Sequence, residues 1–134
     1  MLLQPSRTKY RKIRKGRLKR LNFKSNTLKF GTIGLKAIES GFISGKQLEA
    51  ARQAISRRIR RGGKLWLRVQ PTLSITSKPV EVRMGKGKGN VAYWSSRVKG
   101  GTVLFELCGI TLDVARQAFK TGAAKLSVKT KVFL

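Results

Sequence analysis

The stretch Ser44–Val69, SGKQLEAARQAISRRIRRGGKLWLRV, decides the fold class because its periodicity changes from helical to strand-like at a double glycine. Ser44 followed by Gln47 is the pattern of a helix capping box. Behind it, aliphatic residues recur at the spacing of one helix face: Leu48, Ala51, Ile55 and Ile59. The pattern predicts an amphipathic helix that begins after Ser44 and is stopped by Gly62 and Gly63.

A strand is predicted directly after the double glycine. Leu65, Leu67 and Val69 alternate with polar or amphipathic residues, which indicates one buried face. Trp66 shares the other face with Arg68. This tryptophan could stack on a nucleobase or cover the edge of a core, and we favour the second interpretation.

Further strands are predicted from runs that alternate or are rich in β-branched and aromatic residues. These are residues 33–37 before a turn at Ser40 and Gly41, a strand beginning with Val80 and Val82, residues 91–98, residues 102–108, and a short strand around Val128 and Val132. Residues 99–101, Lys-Gly-Gly, predict a hairpin turn between two of these runs. Residues 72–79 predict a poorly defined connector.

A second helix is predicted over residues 112–125, behind a candidate N-cap at Thr111. Its apolar face comprises Leu112, Ala115, Ala118, Phe119, Gly122 and Leu126. Two helices with one apolar stripe each, among mostly antiparallel strands, predict an α+β fold. We expect a two-layer domain over residues 27–134, in which the helices pack on the strands.

The charge of the chain indicates its kind of partner. Lys and Arg total 31 against 5 Asp and Glu, a net charge of +26. Such a charge opposes folding by self-repulsion unless a polyanion neutralises it. We favour RNA, since its phosphates are regularly spaced and binding releases condensed counterions. An anionic membrane surface is the alternative, which would make the chain a basic peripheral membrane-binding protein.

The composition argues against catalysis. Histidine is absent, and the acidic residues are scattered: Glu39, Glu49, Glu81, Glu106 and Asp113. We therefore expect no enzymatic activity, no metal site and no cofactor. A membrane span would need about twenty consecutive apolar residues, and none occur, so a soluble, unsecreted chain is expected. The single cysteine, Cys108, is predicted to be a small buried hydrophobe.

Residues 1–26 form a basic segment, here called the N-terminal arm, which has no acidic residue. It cannot bury enough apolar surface to offset its ordering entropy, so we expect disorder until phosphates neutralise it. A solvated tail or a mitochondrial presequence would have a similar composition. Its candidate RNA-binding residues are Arg7, Lys9, Arg11, Lys12, Arg14, Lys15 and Arg17.

Residues 83–90, here called the Gly-Lys loop, alternate glycine with lysine between predicted strands. Glycine permits positive φ and leaves backbone amides free to meet phosphate oxygens. The spacing fits neither a P-loop nor a dinucleotide fingerprint, and an ordinary flexible loop is the alternative. The candidate RNA-binding residues here are Arg83, Met84, Gly85, Lys86, Gly87, Lys88, Gly89 and Asn90. Those on the outer face of the first helix are Lys46, Arg57, Arg60 and Arg61.

Several separate motifs together resemble one known family. They are residues 4–16 with Arg7-Thr8-Lys9, Gln47–Trp66, Lys78–Asn90, Tyr93-Trp94, Phe105-Glu106, Ala115–Ala118, Lys125-Leu126 and Lys129–Lys131. In the order and spacing of these motifs, the chain resembles the L-sixteen family of large-subunit ribosomal proteins, of the bacterial and organellar type. The resemblance covers essentially the whole chain.

The resemblance implies a structural constituent of the large ribosomal subunit. Such a protein would bind large-subunit rRNA beside the aminoacyl-tRNA site, with the N-terminal arm and the Gly-Lys loop reaching toward the peptidyl transferase region. Its implied partners are this rRNA, aminoacyl-site tRNA and neighbouring ribosomal proteins, without a membrane or a small-molecule substrate. The resemblance also implies a role in late subunit assembly, a hammerhead-like β motif and an arm that belongs to the mature protein. Arg83 matches an arginine that is hydroxylated in some bacterial members.

The chain departs from the family pattern at a few positions. Ser6 stands where a basic residue is usual, residues 70–73 replace a different turn, Ser127 replaces a proline, and Ser95-Ser96 replaces more apolar residues. The high lysine content adds to these differences. Together they favour an organellar ribosome, in the mitochondrial matrix before the plastid, with the bacterial cytoplasm left open.

Overall fold

Two helices and seven strands form the part of the chain that the computed structural model describes, residues 4–60 and 62–134. In chain order they are β1 (Ile33–Ala37), β2 (Gly41–Ser44), α1 (Gly45–Arg58), β3 (Lys64–Leu67), β4 (Leu73–Ser77), β5 (Asn90–Val98), β6 (Val103–Cys108), α2 (Leu112–Ala123) and β7 (Thr130–Phe133). Residues 4–32 contain neither a helix nor a strand. The predicted α+β class is confirmed.

The strands form two antiparallel sheets. The first has the order β3-β6-β1-β7 and the second the order β2-β5-β4. Every residue of Val103–Leu107 in β6 is buried, and alternate side chains of a strand point to opposite faces. The first sheet is therefore covered on both sides at β6. One side meets the helices in a common core, and residues from before β1 lie against the other, where a Cβ on Gly34 would come within 2.6 Å of Leu28.

Helix α1 begins as the sequence predicts. The Ser44 hydroxyl accepts a hydrogen bond from the Gln47 N–H at 3.2 Å, and the Gln47 side chain accepts one from the Ser44 N–H at 2.9 Å. Both halves of the capping box are thus present. The predicted apolar stripe is buried in the core: Leu48, Ala51, Ile55 and Ile59.

Helix α2 packs closely against α1 at a glycine. A Cβ on Gly122 would lie 2.6 Å from Cγ1 of Ile55, so any larger residue would push the helices apart. The predicted inner face is buried at Ala115, Ala118 and Phe119. Thr111 is the N-cap residue, as predicted, but its side chain makes no capping hydrogen bond, and the helix ends at Ala123, before the predicted end at residue 125.

Two predictions for residues 72–82 are also wrong. The expected connector contains β4, whose residue Leu73 is buried in spite of the polar residues around it. Val80 and Val82, expected to begin a strand, are exposed in a turn. Pro79 has no N–H to give to a sheet, and its carbonyl instead accepts a hydrogen bond from Val82 at 3.2 Å.

The predicted hairpin at residues 99–101 is wrong in its pairing. A tight turn does form, with the Thr102 N–H donating to the Lys99 carbonyl at 3.1 Å. The strands on either side, however, belong to different sheets, so the turn passes the chain from one sheet to the other. Instead, β5 pairs with β2 on one side and with β4 on the other. Strand β2 has four residues, too few to show a period, and the predicted turn residue Gly41 is its first residue. Cys108, predicted to be buried, is partly exposed at the end of β6.

Glu106 joins the segment before β1 to the first sheet. Its side chain is fully buried, and its carboxylate accepts hydrogen bonds from the backbone N–H groups of Phe30 at 2.7 Å and Gly31 at 2.8 Å, and from that of Lys29. The Arg68 guanidinium, just beyond β3, donates to the same carboxylate. Burial alone would raise the pKa of Glu106, but the three N–H donors and the Arg68 guanidinium outweigh it and lower this pKa below its ordinary value.

Replacing Glu106 with Gln (E106Q) should lower the free energy of unfolding by about 3 kcal/mol or more. The change leaves Arg68 without a counter-ion and turns an amide toward backbone N–H donors. Urea unfolding at pH 7 measures the loss. The matched control is E49Q, because Glu49 pairs with Arg52 within α1 and both side chains remain partly exposed, so that its loss should be smaller, about 1 kcal/mol. Equal losses in the two variants would contradict the role of Glu106.

Acidification should narrow the difference between wild type and E106Q. Folding lowers the pKa of Glu106, so its contribution is complete above the unfolded value of about 4.3. The contribution is lost as the pH falls through the lower pKa of the folded state. A difference that stayed constant down to pH 3 would show that the carboxylate charge is not what stabilises the fold.

Candidate nucleic-acid interface

Most of the positive charge has no carboxylate beside it. The described residues contain two ion pairs, Arg52 with Glu49 at 2.7 Å and Arg68 with Glu106. These pairs involve only two of the 31 Lys and Arg residues in the chain. The resulting field attracts polyanions and draws them to wherever the cations are concentrated.

The Gly-Lys loop is the exposed end of the hairpin formed by β4 and β5. Gly85, Lys86 and Gly87 have positive φ angles of 99°, 51° and 85°. The space beside both glycines is open, whereas a Cβ on Gly89 would lie 2.3 Å from the Ser77 carbonyl oxygen at the base of the hairpin. The other predicted binding residues of the loop, Arg83, Met84, Lys88 and Asn90, are exposed as well.

The N-terminal arm meets this loop. The Lys12 ammonium donates to the Lys88 carbonyl at 3.0 Å, and the Lys88 ammonium donates back to the Ile13 carbonyl at 2.8 Å. From β5, the Arg97 guanidinium donates to the Arg14 carbonyl. Because each acceptor is a neutral oxygen, the cations keep their full charge. The structure thus brings together two of the three basic segments that the sequence singled out.

The arm's remaining candidates occupy the same irregular segment. Lys15 lies over the ring of Phe42, with its ammonium 4.8 Å from the ring centre. The other four are exposed along the arm: Arg7, Lys9, Arg11 and Arg17.

A basic cleft beside the arm includes residues that the sequence did not single out. Its volume is about 520 Å³, and Arg97 and Lys99 line it together with Lys15, Arg17 and Arg68. Arg97 points outward between the buried residues Ser96 and Val98, a pattern that any surface arginine on a strand would show. Only the docking of the arm against β5 gives this arginine a place in the interface.

The basic residues predicted on the outer face of the first helix divide into two groups, because the helix ends at Arg58, before Arg60. Lys46, in the first turn, lines a cleft with Phe42 and Tyr93, close to where the arm docks. Arg57, about 17 Å further along the helix axis at about 1.5 Å per residue, and Arg60, just beyond the end of the helix, line another cleft. Arg61, also predicted to bind RNA, lies outside the described residues. The structure therefore places Lys46 near the arm and leaves Arg57 and Arg60 as a separate basic surface.

The described part of the chain offers charge and hydrogen-bond donors. Within it, no group of three or more His, Cys, Asp or Glu residues could hold a metal ion. Among residues 4–60 and 62–134, moreover, no helix combines the length and the apolar character that crossing a membrane requires. What the arrangement can do is bind a chain of phosphates along the arm and the Gly-Lys loop.

Comparisons with known proteins give one consistent result. The model of the family described as ribosomal protein L16p/L10e matches residues 5–133. Proteins named large ribosomal subunit protein uL16 are similar over almost the whole chain. The one from Stenotrophomonas maltophilia is 54% identical, covering 96% of this chain and 94% of its own length. The one from Halorhodospira halophila is 56% identical with the same coverage.

A third relative, uL16 from Acinetobacter baumannii, is 53% identical over 98% of this chain and 96% of its own length. All three organisms are bacteria. These relatives therefore give no support to the expectation of a mitochondrial protein, which rested on a few departures from the family pattern.

Replacing Lys86 with Gly (K86G) should raise the free energy of unfolding by up to about 1 kcal/mol, because glycine adopts a positive φ without the clash that a Cβ brings. The control is K88G in the same loop, since Lys88 is not among the residues with positive φ. There glycine should be neutral or destabilising by about 0.5 kcal/mol. Urea unfolding of both variants measures the two effects. A loss in K86G as large as that in K88G would contradict the left-handed conformation of Lys86.

Proposed function

This chain belongs to the ribosomal protein L16p/L10e family, and we propose that it is a component of the large ribosomal subunit that binds the rRNA of that subunit. It is a structural protein and not an enzyme. The observation that carries the proposal is the contact between the N-terminal arm and the Gly-Lys loop. It joins two uncompensated basic segments into one surface that a folded RNA can follow.

The physical basis of binding is the exchange of small ions for protein cations. Each lysine or arginine that meets a phosphate releases a condensed counterion, which favours binding most at low salt. The hydrogen bonds from Lys12 and Lys88 to carbonyl groups are exposed to water. An RNA phosphate can replace those carbonyls as the acceptor, and a hydrogen bond between two charged groups is the stronger one.

The finer part of the proposal concerns the place on the subunit. We propose that the Gly-Lys loop reaches toward the aminoacyl-tRNA site and the peptidyl transferase region, where it contacts rRNA and tRNA. Two features support this. The loop projects from the end of a hairpin, and its Met84 is 94% exposed. We also propose that the protein contacts neighbouring ribosomal proteins and contributes to late assembly of the large subunit.

The alternative, a peripheral membrane protein, would require α1 to place its apolar face in lipid. That face is part of the core, with Leu48, Ala51 and Ile55 fully buried. Lipid could reach it only if the domain unfolded. The geometry therefore favours RNA over a membrane surface.

Replacing Lys86 and Lys88 with Ala should weaken binding to large-subunit rRNA and reduce its salt dependence. The slope of log K against log salt should fall in magnitude by about 0.9 for each phosphate that the variant no longer neutralises on duplex-like RNA. Filter binding at several salt concentrations measures this slope. The control replaces Lys120 and Lys125, exposed at the end of α2 and just beyond it. An unchanged slope in the loop variant would mean that these lysines only solvate the loop.

Removing residues 1–20 should impair incorporation into large subunits, because the loop would lose its basic neighbour and the cleft would lose Lys15 and Arg17. Sucrose-gradient sedimentation of tagged protein from cells measures incorporation. The full-length protein should sediment with large subunits and be released by high salt but not by detergent. Normal assembly and translation with the truncated protein would overturn the proposed role of the arm.

A further inference from the structure

Two aromatic rings form a stack at the edge of the first sheet. The ring centres of Phe30 and Trp66 are 6.1 Å apart, and the ring planes differ by 22°, which is the geometry of an offset aromatic pair. Trp66 lies on β3, the outermost strand of its sheet. Trp66 is partly exposed there, and its packing partner is Phe30. Its neighbour Phe30, which no sequence pattern singled out, is 58% exposed.

The stack rests on a rigid base. The Phe30 N–H is bound to the buried Glu106 carboxylate at 2.7 Å, and Trp66 is the direct cross-strand partner of Glu106. Gly31, the next residue, presses on β6, since a Cβ there would lie 2.6 Å from the Leu107 carbonyl oxygen. The backbone on both sides of the rings is thus fixed, although Phe30 itself precedes the first strand.

One cation lies close to each ring of this aromatic pair. The Lys64 ammonium lies 5.2 Å from the centre of the Trp66 ring, and the Arg68 guanidinium lies 5.3 Å from the centre of the Phe30 ring. Arg68 is already paired with Glu106. Lys64 is exposed, and its contact with the ring is a weak one that a phosphate could replace.

We propose that Phe30, backed by Trp66, is a stacking site for one unpaired RNA base, with Lys64 placed for a phosphate of the same nucleotide. Exposure of a large apolar ring to water is unfavourable, and a flat base stacked on the ring removes apolar surface of both partners from water. Because the ring is held before the RNA arrives, stacking costs little further ordering of the protein. An aromatic platform with a cation beside it matches a nucleotide, which has a flat base and a charged phosphate.

This inference rests on the proposed function, because a single stacked base needs the surrounding charge to bring RNA to the surface. The two can be tested separately. Binding that depends on charge responds to any polyanion, whereas binding that depends on stacking requires a base. Oligoadenylate and inorganic polyphosphate of equal chain length provide the two probes.

Replacing Phe30 with Leu (F30L) in the full chain should raise the Kd for oligoadenylate about fivefold or more. The Kd for polyphosphate and the salt dependence of both ligands should stay unchanged. The matched control is F23L, because Phe23 is 77% exposed in the arm and is not stacked on another ring of the described residues. Its Kd for oligoadenylate should change less than twofold. Urea unfolding checks that F30L remains folded under the binding conditions.

A second measurement does not depend on altering Phe30. In a W94F background Trp66 is the only tryptophan, and its fluorescence should change on binding oligoadenylate but not on binding polyphosphate. Equal Kd changes for both ligands in F30L, or no base-dependent fluorescence change, would overturn the stacking site while leaving the proposed function intact. Failure of the wild-type protein to bind large-subunit rRNA in a salt-dependent way would overturn the proposed function itself.

Discussion

The buried carboxylate of Glu106 is the constraint on which the arrangement of this small domain depends. The chain has only 5 Asp and Glu residues against 31 Lys and Arg. The Glu106 carboxylate is held by three backbone N–H groups and a guanidinium. Through it the segment before β1, the edge strand β3 and the central strand β6 are fixed to each other. A buried anion is stable only when all its hydrogen-bond and ion-pair partners are present. The segment between the arm and β1, which supplies three of those partners, must therefore be in place for the sheet to be stable.

That constraint also separates two kinds of positive charge. Arg68 faces an internal carboxylate and serves the fold. Lys12, Lys88 and Arg97 face carbonyl oxygens and keep their charge available to a ligand. Net charge alone cannot make this distinction. The two kinds of cation differ in the acceptor that each one contacts, and that acceptor is known only from the folded structure.

The helices could be predicted from sequence because their signals are local. The capping box at Ser44 and the stripe that includes Leu48 and Ile55 both lie within one short segment. The pairing of the strands could not, because β5 and β6 look like a hairpin and yet join different sheets. In the candidate interface, glycine spacing and charge identified the Gly-Lys loop. Arg97 and Phe30 were not singled out, because their contacts, with Arg14 and with Trp66, join residues distant in sequence.

The irregular arm has a consequence for the lifetime of the protein. Residues 4–32 contain no helix or strand, and most of the arm's lysines and arginines are exposed. Exposed chain without secondary structure is what proteases cleave first, and each basic residue here is a cleavage point for a trypsin-like enzyme. A bound polyanion that covers the arm also shields those peptide bonds. Copies bound to a polyanion would therefore be degraded more slowly than unbound copies, and the amount of the protein would follow the number of its binding sites.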